Sequence, residues 1–205
     1  MPNLKIAQER QILTRVKPLL KKLYGDFVVD VSQTDRPDAA IKVLKPRKQV
    51  DQTGAPFSVG IEITTVDQSE PLAYFNGARS ELETVDIVIS KSYIYEGAIK
   101  KINKYQEYAE ANTFREIVLI CFSQVLGVHD PFFKQCVAGW SGFLLQKAAF
   151  PFEKVIFVDL KANEASVIYD VRKAVLAPPS VDCETKVVRG ITDFDALMAN
   201  IITMG

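Results

Sequence analysis

The chain has 205 residues, 48% of them apolar and 24% charged, and 25 basic side chains balance 25 acidic ones. This composition is typical of a globular protein, and one domain spanning residues 1–205 is expected to bury about 70% of the surface of the unfolded chain. A disulfide-rich mini-protein is therefore excluded. No apolar run reaches the roughly 18 residues that cross a bilayer, and the first residues contain no apolar signal-peptide core, so we expect a cytoplasmic protein without a membrane partner.

The charges are unevenly distributed along the chain. Residues 1–50 carry eleven Lys or Arg against five acids, whereas residues 51–100 carry three against eight. The basic first quarter could bind an anionic partner such as DNA or RNA, or its lysines could be ordinary solvated surface on a helix and a hairpin tip.

The three cysteines, Cys121, Cys136 and Cys183, lack CxxC or CxxH spacing. We expect all three to be reduced thiols.

The first half of the chain predicts a helix followed by three strands. From about Asn3 to Leu23 apolar residues recur near a 3.6-residue period, with Pro18 expected to kink or split this helix and Gly25 to end it. Three segments rich in β-branched residues follow, separated by polar turns: DFVVDVS, AAIKVL and FSVGIEITTV. Because short turns join antiparallel neighbours, we expect a meander beside the helix.

The second half predicts helix, strand, helix, hairpin and helix. SYIYEGAIKKINKYQEYAEA is expected to form one helix, and REIVLICFS a strand buried on both faces. Asp130-Pro131 predicts the start of the next helix. The residues that this helix is expected to carry to the core are Phe132, Phe133, Val137, Trp140, Phe143 and Leu144. A homodimer contact is the alternative for Phe132, Phe133 and Trp140. KVIFVDL and ASVIYDV should pair as a hairpin, and a last helix should begin near Asp193. Residues 71–90 give no firm prediction, although SELETVDIVIS is compatible with a short helix or a strand.

This order predicts a single α/β domain with a mixed central sheet. Short turns join the early strands, whereas a helical crossover leads to the later strand.

Several catalytic patterns are absent from the sequence: GxxxxGK[ST], GxGxxG and GxSxG do not occur. His129 is the only histidine. We expect it to form local hydrogen bonds in a loop, with an α/β enzyme site that includes His129 and Asp130 as an alternative.

Two acids fall on neighbouring predicted strands. Asp38 lies at the entrance of AAIKVL, and Glu62 lies in the middle of the apolar run FSVGIEITTV. An ionised carboxylate inside a sheet is costly to bury unless it is paired, hydrogen-bonded or bound to a metal. Two converging carboxylates suit Mg²⁺. The alternatives are a sheet face open to solvent, or an ion pair between Glu62 and Lys42 across the strands.

At these residues the sequence resembles the PD-(D/E)xK nuclease superfamily, including uncharacterised bacterial and phage members. Pro37-Asp38 resembles the PD motif, and Glu62-Ile63-Thr64 resembles (D/E)xK. The resemblance implies a restriction-endonuclease-like core over about residues 3–123, consisting of a helix, three strands, a helix and a strand. The C-terminal helix, hairpin and helix would be additions. It also implies that Asp38, Glu62 and the main-chain carbonyl of Ile63 bind Mg²⁺ or Mn²⁺, with Glu9 as a further acid.

The sequence departs from this family at Thr64, which stands where the family keeps a lysine and cannot supply a positive charge. Some members move the lysine to the following helix, where this chain has Lys101 and Lys104. We therefore expect a metal-dependent phosphodiesterase or endonuclease acting on DNA or RNA, with Lys101 or Lys104 as the catalytic cation. The alternative is a catalytically inactive interaction protein on the same fold.

Overall fold

The computed structural model describes residues 2–33, 36–47, 54–67, 85–111, 113–173, 175 and 177–190. The helices in these ranges are α1 (Pro2–Tyr24), α2 (Tyr93–Ile99), α3 (Ile102–Glu110) and α4 (Ala138–Lys147), with a π-helical turn at Phe133–Val137. The strands are β1 (Gly25–Val29), β2 (Ala39–Pro46), β3 (Phe57–Thr65), β4 (Val85–Ile89), β5 (Glu116–Ser123), β6 (Lys154–Asp159), β7 (Glu164–Asp170) and β8 (Lys186–Gly190). None of the helices in the described ranges has the length and apolar character needed to cross a membrane.

Six of the strands form one mixed sheet in the order β1-β2-β3-β5-β6-β7. β1, β2 and β3 make an antiparallel meander, β3, β5 and β6 run parallel, and β7 is antiparallel to β6. The mixed α/β architecture predicted from the sequence is confirmed. The lengths of the connections explain this architecture. The segment between β3 and β5 contains α2 and α3, so it is long enough to return the chain to the end of the sheet at which β3 begins, and β5 can then run parallel to β3.

Helices cover both faces of the sheet. On one face, Val16 and Leu20 of α1 pack with Ile61 of β3, and on the other Leu119 and Phe157 belong to a core that includes α2, α3 and the helical segment ending in α4. Successive residues of β5 alternate between these two cores. Burial on both faces explains why β5 reads as a continuous apolar run.

The first helix is not split. α1 continues through Pro18 to Tyr24, and Gly25 then adopts a φ of +99°. A side chain at Gly25 would collide with the carbonyl oxygen of Lys45 on the neighbouring strand. The glycine therefore both ends the helix and allows β1 to begin directly against β2.

The helix predicted from SYIYEGAIKKINKYQEYAEA is wrong as a single element, because it breaks between α2 and α3. The N–H of Lys101 donates to the carbonyl of Ala98, a tight turn instead of a continued α-helical bond, at 2.9 Å. α2 is held at the end of β3 by Gly97, which lies directly against Val66. Tertiary contacts therefore override the local helix propensity of this segment.

The helix that follows Asp130 begins as predicted, with the N–H of Phe132 donating to Oδ1 of Asp130 at 2.9 Å. Phe133 and Val137 are buried, but Trp140, Phe143 and Leu144 are only half-buried. The π-helical turn contains more residues per turn than an α-helix and so rotates the later residues. The core position is taken by Leu145 instead of Leu144.

Two further features correct or complete the sequence predictions. Of the two structures compatible with the SELETVDIVIS segment, residues 85–89 form the strand, β4, which pairs with β8 in a separate antiparallel ribbon.

Cys136 and Cys183 are joined by a disulfide bond, so the expectation of three reduced thiols is wrong. The sequence could not reveal this pair, because fold contacts bring together cysteines 47 residues apart. The helix predicted near Asp193 and residues 71–84 lie outside the described residues.

Candidate active site

Asp38 immediately precedes β2, and Glu62 lies within β3. Ala39 pairs with Ile61, and continuing this antiparallel register by one residue brings Asp38 next to Glu62. The backbone N–H of Ile63 donates to Oδ2 of Asp38 at 2.8 Å. The two acids that the sequence singles out are thus brought together by strand pairing, with Asp38 bonded to the backbone immediately after Glu62.

Glu62 is buried, with 3% of its surface exposed, and each of its oxygens accepts a hydrogen bond. The ammonium of Lys101 donates to Oε1 at 2.8 Å, and the hydroxyl of Tyr108 donates to Oε2 at 2.7 Å. These donors replace the water that the carboxylate loses on burial. The cross-strand pair with Lys42 is therefore wrong: Lys42 is exposed and stands opposite Ser58.

Lys101 reaches this carboxylate because it sits at the junction between α2 and α3. Its backbone has φ −101° and ψ 2°, outside the helical region, and it precedes the first residue of α3. Tyr108 follows seven residues later, about two turns of helix, so the two side chains share one face of this segment. The break between the helices thus places a cation and a hydroxyl beside β3.

The remaining predicted residues have different surroundings. Lys104 pairs with Glu107 on its own helix at 3.1 Å. The hydroxyl of Thr64 donates to the carbonyl of Thr65. Glu9 lies on α1, which packs on the sheet face opposite to the one that carries Glu62. The side chain of Ile63 is buried toward α1, and its participation through the carbonyl, like that of Glu9, stays a prediction.

The electrostatic surroundings keep the neutral groups of the site protonated. Burial raises the pKa of Tyr108, and the hydrogen bond to Glu62 and the negative charges of Glu62 and Asp38 raise it further. Tyr108 is therefore a fixed hydrogen-bond donor. Burial likewise raises the pKa of Cys121, which pairs in register with Thr64, to about 12. This thiol is not a nucleophile at neutral pH.

Asp38 and Glu62 are the two carboxylate donors that this site offers to a hard divalent cation. In the described part of the chain no three His, Cys, Asp or Glu side chains form a cluster that could hold a metal. Mg²⁺ is commonly held by one or two carboxylates together with water, and Asp38 and Glu62 supply two. The ammonium of Lys101 already contacts Oε1 of Glu62, so this oxygen lies where a cation is stabilised.

The sheet face that carries the two acids is covered beside them and exposed farther along the strands. Ala40 and Gly60, the next residues on this side, are buried, and Phe114 lies against Gly60. Beyond Ala40, Lys42 and Leu44 of β2 are exposed. The exposed part of this face therefore begins at Lys42 and not at the acids.

His129 and Asp130 do not join this site. The ring of His129 lies 3.4 Å from the carboxylate of Glu164, and both side chains are exposed. Asp130 accepts the N–H of Phe132 and pairs with Lys186, which gives it a helix-capping role. Tyr108 is a partner of Glu62 that was not predicted from the sequence. Its only signal was the seven-residue spacing from Lys101.

Comparisons with protein-family models, with curated proteins and with solved structures gave no significant match. The functional assignment therefore depends on the chemistry of Asp38, Glu62, Lys101 and Tyr108.

Proposed function

We propose that this protein is a metal-dependent phosphodiesterase that cleaves DNA or RNA and is built on a restriction-endonuclease-like core. The observation that carries the proposal is the meeting of three groups: Asp38 and Glu62 on adjacent strands, and Lys101 from the following helix, 2.8 Å from Glu62. Two acids and one amine are the catalytic groups that the PD-(D/E)xK resemblance implies.

The order of elements supports this proposal. α1 is followed by the meander β1-β2-β3, then by β4, by α2 and α3, and by β5 parallel to β3. With β4 set aside, because it pairs with β8 outside the six-stranded sheet, this succession matches the helix, three strands, helix and strand implied for the nuclease core. Asp38 precedes the second strand and Glu62 lies within the third, which are the positions expected for the two motifs.

The chain's own residues would divide the work as follows. Asp38 and Glu62, with the carbonyl of Ile63, would hold Mg²⁺ or Mn²⁺. Such an ion supplies activated water and stabilises negative charge on a phosphoryl oxygen. Lys101 takes the role of the lysine missing at Thr64, because its ammonium reaches Glu62 whereas Lys104 pairs with Glu107. Tyr108 fixes the second oxygen of Glu62.

Positive charge in the first quarter of the chain favours a polyanionic substrate. Residues 1–50 as a whole carry a surplus of six positive charges. Lys42 is exposed on the same side of the sheet as Asp38, beyond the buried Ala40. Positive charge attracts a phosphate backbone and accelerates its association.

The test is cleavage of plasmid DNA, single-stranded DNA and RNA by the purified protein with Mg²⁺ or Mn²⁺. Asp38→Asn and Glu62→Gln are expected to lower the rate by about a hundredfold or more, because metal binding contributes several kcal/mol to such reactions. Asp26→Asn is the matched control, since Asp26 lies on β1 and pairs at the surface with Lys21. Equal activity of wild type and Glu62→Gln would refute the proposal.

A second candidate is a non-catalytic interaction protein on the same fold. It is favoured by one observation: both oxygens of Glu62 accept hydrogen bonds from protein groups, one of them the Lys101 ammonium, so no metal ion is needed to compensate the buried charge. This candidate predicts a folded protein without affinity for Mg²⁺ or Mn²⁺. Calorimetric titration of Mn²⁺ into wild type, Asp38→Asn and Glu62→Gln separates the two candidates without knowledge of the substrate.

A further inference from the structure

The two donors to Glu62 differ in how easily they can leave. Tyr108 is 5% exposed and belongs to a core cluster, so its hydroxyl is fixed by packing. The side chain of Lys101 is 26% exposed and sits at the break between two helices. Its flexible four-carbon stem allows the ammonium to swing toward solvent without moving the backbone. Of the two contacts, the one at Oε1 is therefore exchangeable.

The negative charge of Glu62 gives Lys101 an electrostatic role. Glu62 is buried, and Asp38 accepts the backbone N–H of the next residue, Ile63. Neighbouring carboxylates repel each other, and a cation beside them reduces that repulsion. The ammonium at 2.8 Å supplies one positive charge to the pair. A divalent cation at the same oxygen would supply two, and it would repel an ammonium that stayed in place.

We propose that Lys101 is a built-in cation that holds Glu62 in the metal-free protein and exchanges with a divalent metal at Oε1. Tyr108 keeps its bond to Oε2 in both states and so prevents the carboxylate from turning away. The exchange is a regulation of the proposed nuclease site and rests on that proposed function. It makes Lys101 a competitor of the metal and frees its ammonium for an anionic ligand only after the metal has bound.

The exchange predicts opposite effects of one substitution on metal binding and on cleavage. Lys101→Ala removes the competing charge, so the dissociation constant for Mn²⁺ should fall by about tenfold, as expected for loss of one close charge repulsion near a protein surface. Cleavage should nevertheless decrease, because the amine is missing. If Lys101 only orients water, Lys101→Ala should leave the affinity for Mn²⁺ unchanged or weaken it.

The experiment is calorimetric titration of Mn²⁺ into the full chain as wild type, Lys101→Ala and Lys101→Arg. Lys100→Ala is the matched control, because Lys100 is the exposed neighbour with the same charge. We expect tighter binding in Lys101→Ala only, and no tighter binding in Lys101→Arg, which keeps the competing charge. Binding should disappear in Glu62→Gln, which identifies the oxygen concerned.

Thermal unfolding provides a second readout if Lys101→Ala folds less stably. Mn²⁺ should raise the Tm of Lys101→Ala by more than it raises the Tm of wild type, since a ligand that binds more tightly stabilises more. An unchanged or weaker Mn²⁺ affinity in Lys101→Ala, or no binding in either protein, would overturn the exchange. Tighter binding combined with no cleavage by wild type would instead refute the nuclease and leave the exchange standing.

Discussion

Lys154 and Glu116 form an ion pair that is almost completely shielded from solvent. The ammonium lies 2.9 Å from Oε2 of the carboxylate, and the side chains are 4% and 3% exposed. The hydroxyl of Tyr24 donates to the same oxygen, and Arg172 pairs with the other. The pair therefore joins the end of α1 to the first residues of the parallel strands β5 and β6.

Lys154→Met is expected to lower the free energy of unfolding by about 3 kcal/mol, because removal of one partner leaves a buried carboxylate with incomplete compensation. The measurement is urea denaturation. Lys21→Met is the control, since the Lys21 and Asp26 pair is well exposed and its loss should cost less than about 1 kcal/mol. Equal losses in the two variants would show that burial of the Lys154 pair has no special effect.

Glu116 also predicts a pH dependence. Burial raises its pKa, but Lys154, Tyr24 and Arg172 outweigh that effect and hold the pKa below the usual 4.5. A lowered pKa stabilises the fold above the unfolded-state value, and this stability is lost as the pH falls through the folded-state value. The free energy of unfolding of wild type, minus that of Glu116→Gln, should therefore have its full value above about pH 5 and should decrease as the pH falls below 4.5.

The comparison of these two proteins removes most of the contribution of the nearby Glu153. Burial raises the pKa of Glu153, which contributes pH dependence of the opposite sign, and the charge of Glu116 raises it as well. The part of this shift caused by burial is present in both proteins and cancels, whereas the part caused by Glu116 belongs to the measured difference. A stability difference that stays constant between pH 3 and pH 7 would contradict the stabilising role assigned to the Glu116 carboxylate.

Gly97→Ala should destabilise the protein although alanine is the better helix former. A Cβ at residue 97 would lie 2.7 Å from Cγ1 and 2.9 Å from Cα of Val66. The helix preference for alanine is worth about 1 kcal/mol, whereas forcing a methyl group into a packed contact costs about 1–3 kcal/mol. We expect a net loss of about 1 kcal/mol in urea denaturation.

The double variant Val66→Ala, Gly97→Ala tests the cause of that loss. Val66→Ala removes Cγ1, the atom nearest to the added methyl group, and leaves Cβ and Cα of residue 66 at 2.8 and 2.9 Å. The added cost of Gly97→Ala should therefore be smaller in the Val66→Ala background than in wild type, although not zero. Strictly additive changes would mean that the contact with Cγ1 of Val66 does not cause the destabilisation.

The main strands could be predicted because their signals are local. β2, β3 and β5 are apolar or alternating runs bounded by polar turns, and short connections fixed the meander. The break between α2 and α3 has no such signal, because α2 is positioned by the contact between Gly97 and Val66, which immediately follows β3. The π-helical turn likewise shifted the buried position from Leu144 to Leu145, which a 3.6-residue period cannot anticipate.

The candidate site was predictable for its acids and less so for their partners. Glu62 is conspicuous in the sequence because a carboxylate interrupts an apolar strand. Its partners Lys101 and Tyr108 are 39 and 46 residues away in sequence. Sequence alone left Lys101 and Lys104 as equal candidates, and the choice of Lys101 depends on the turn at the helix junction.

The disulfide between Cys136 and Cys183 leads to the last prediction. It fastens the segment before β8 to the helical turn before α4, where the indole N–H of Trp140 donates to the carbonyl of Val181 at 2.8 Å. Replacing both cysteines by alanine should lower the free energy of unfolding by about 2–4 kcal/mol, because the unfolded chain loses a long closed loop. Calorimetry of wild type and of Cys136→Ala, Cys183→Ala, without added oxidant or reductant, measures this difference.

Reductant distinguishes the covalent bond from ordinary packing of the two side chains. Dithiothreitol should lower the Tm of wild type and leave the Tm of Cys136→Ala, Cys183→Ala unchanged. Cys121 remains in both proteins but is completely buried and should react with thiol reagents only after unfolding. Recovery of Cys136 and Cys183 as free thiols in a non-reducing peptide map, together with a Tm insensitive to reductant, would show that this bond does not stabilise the protein.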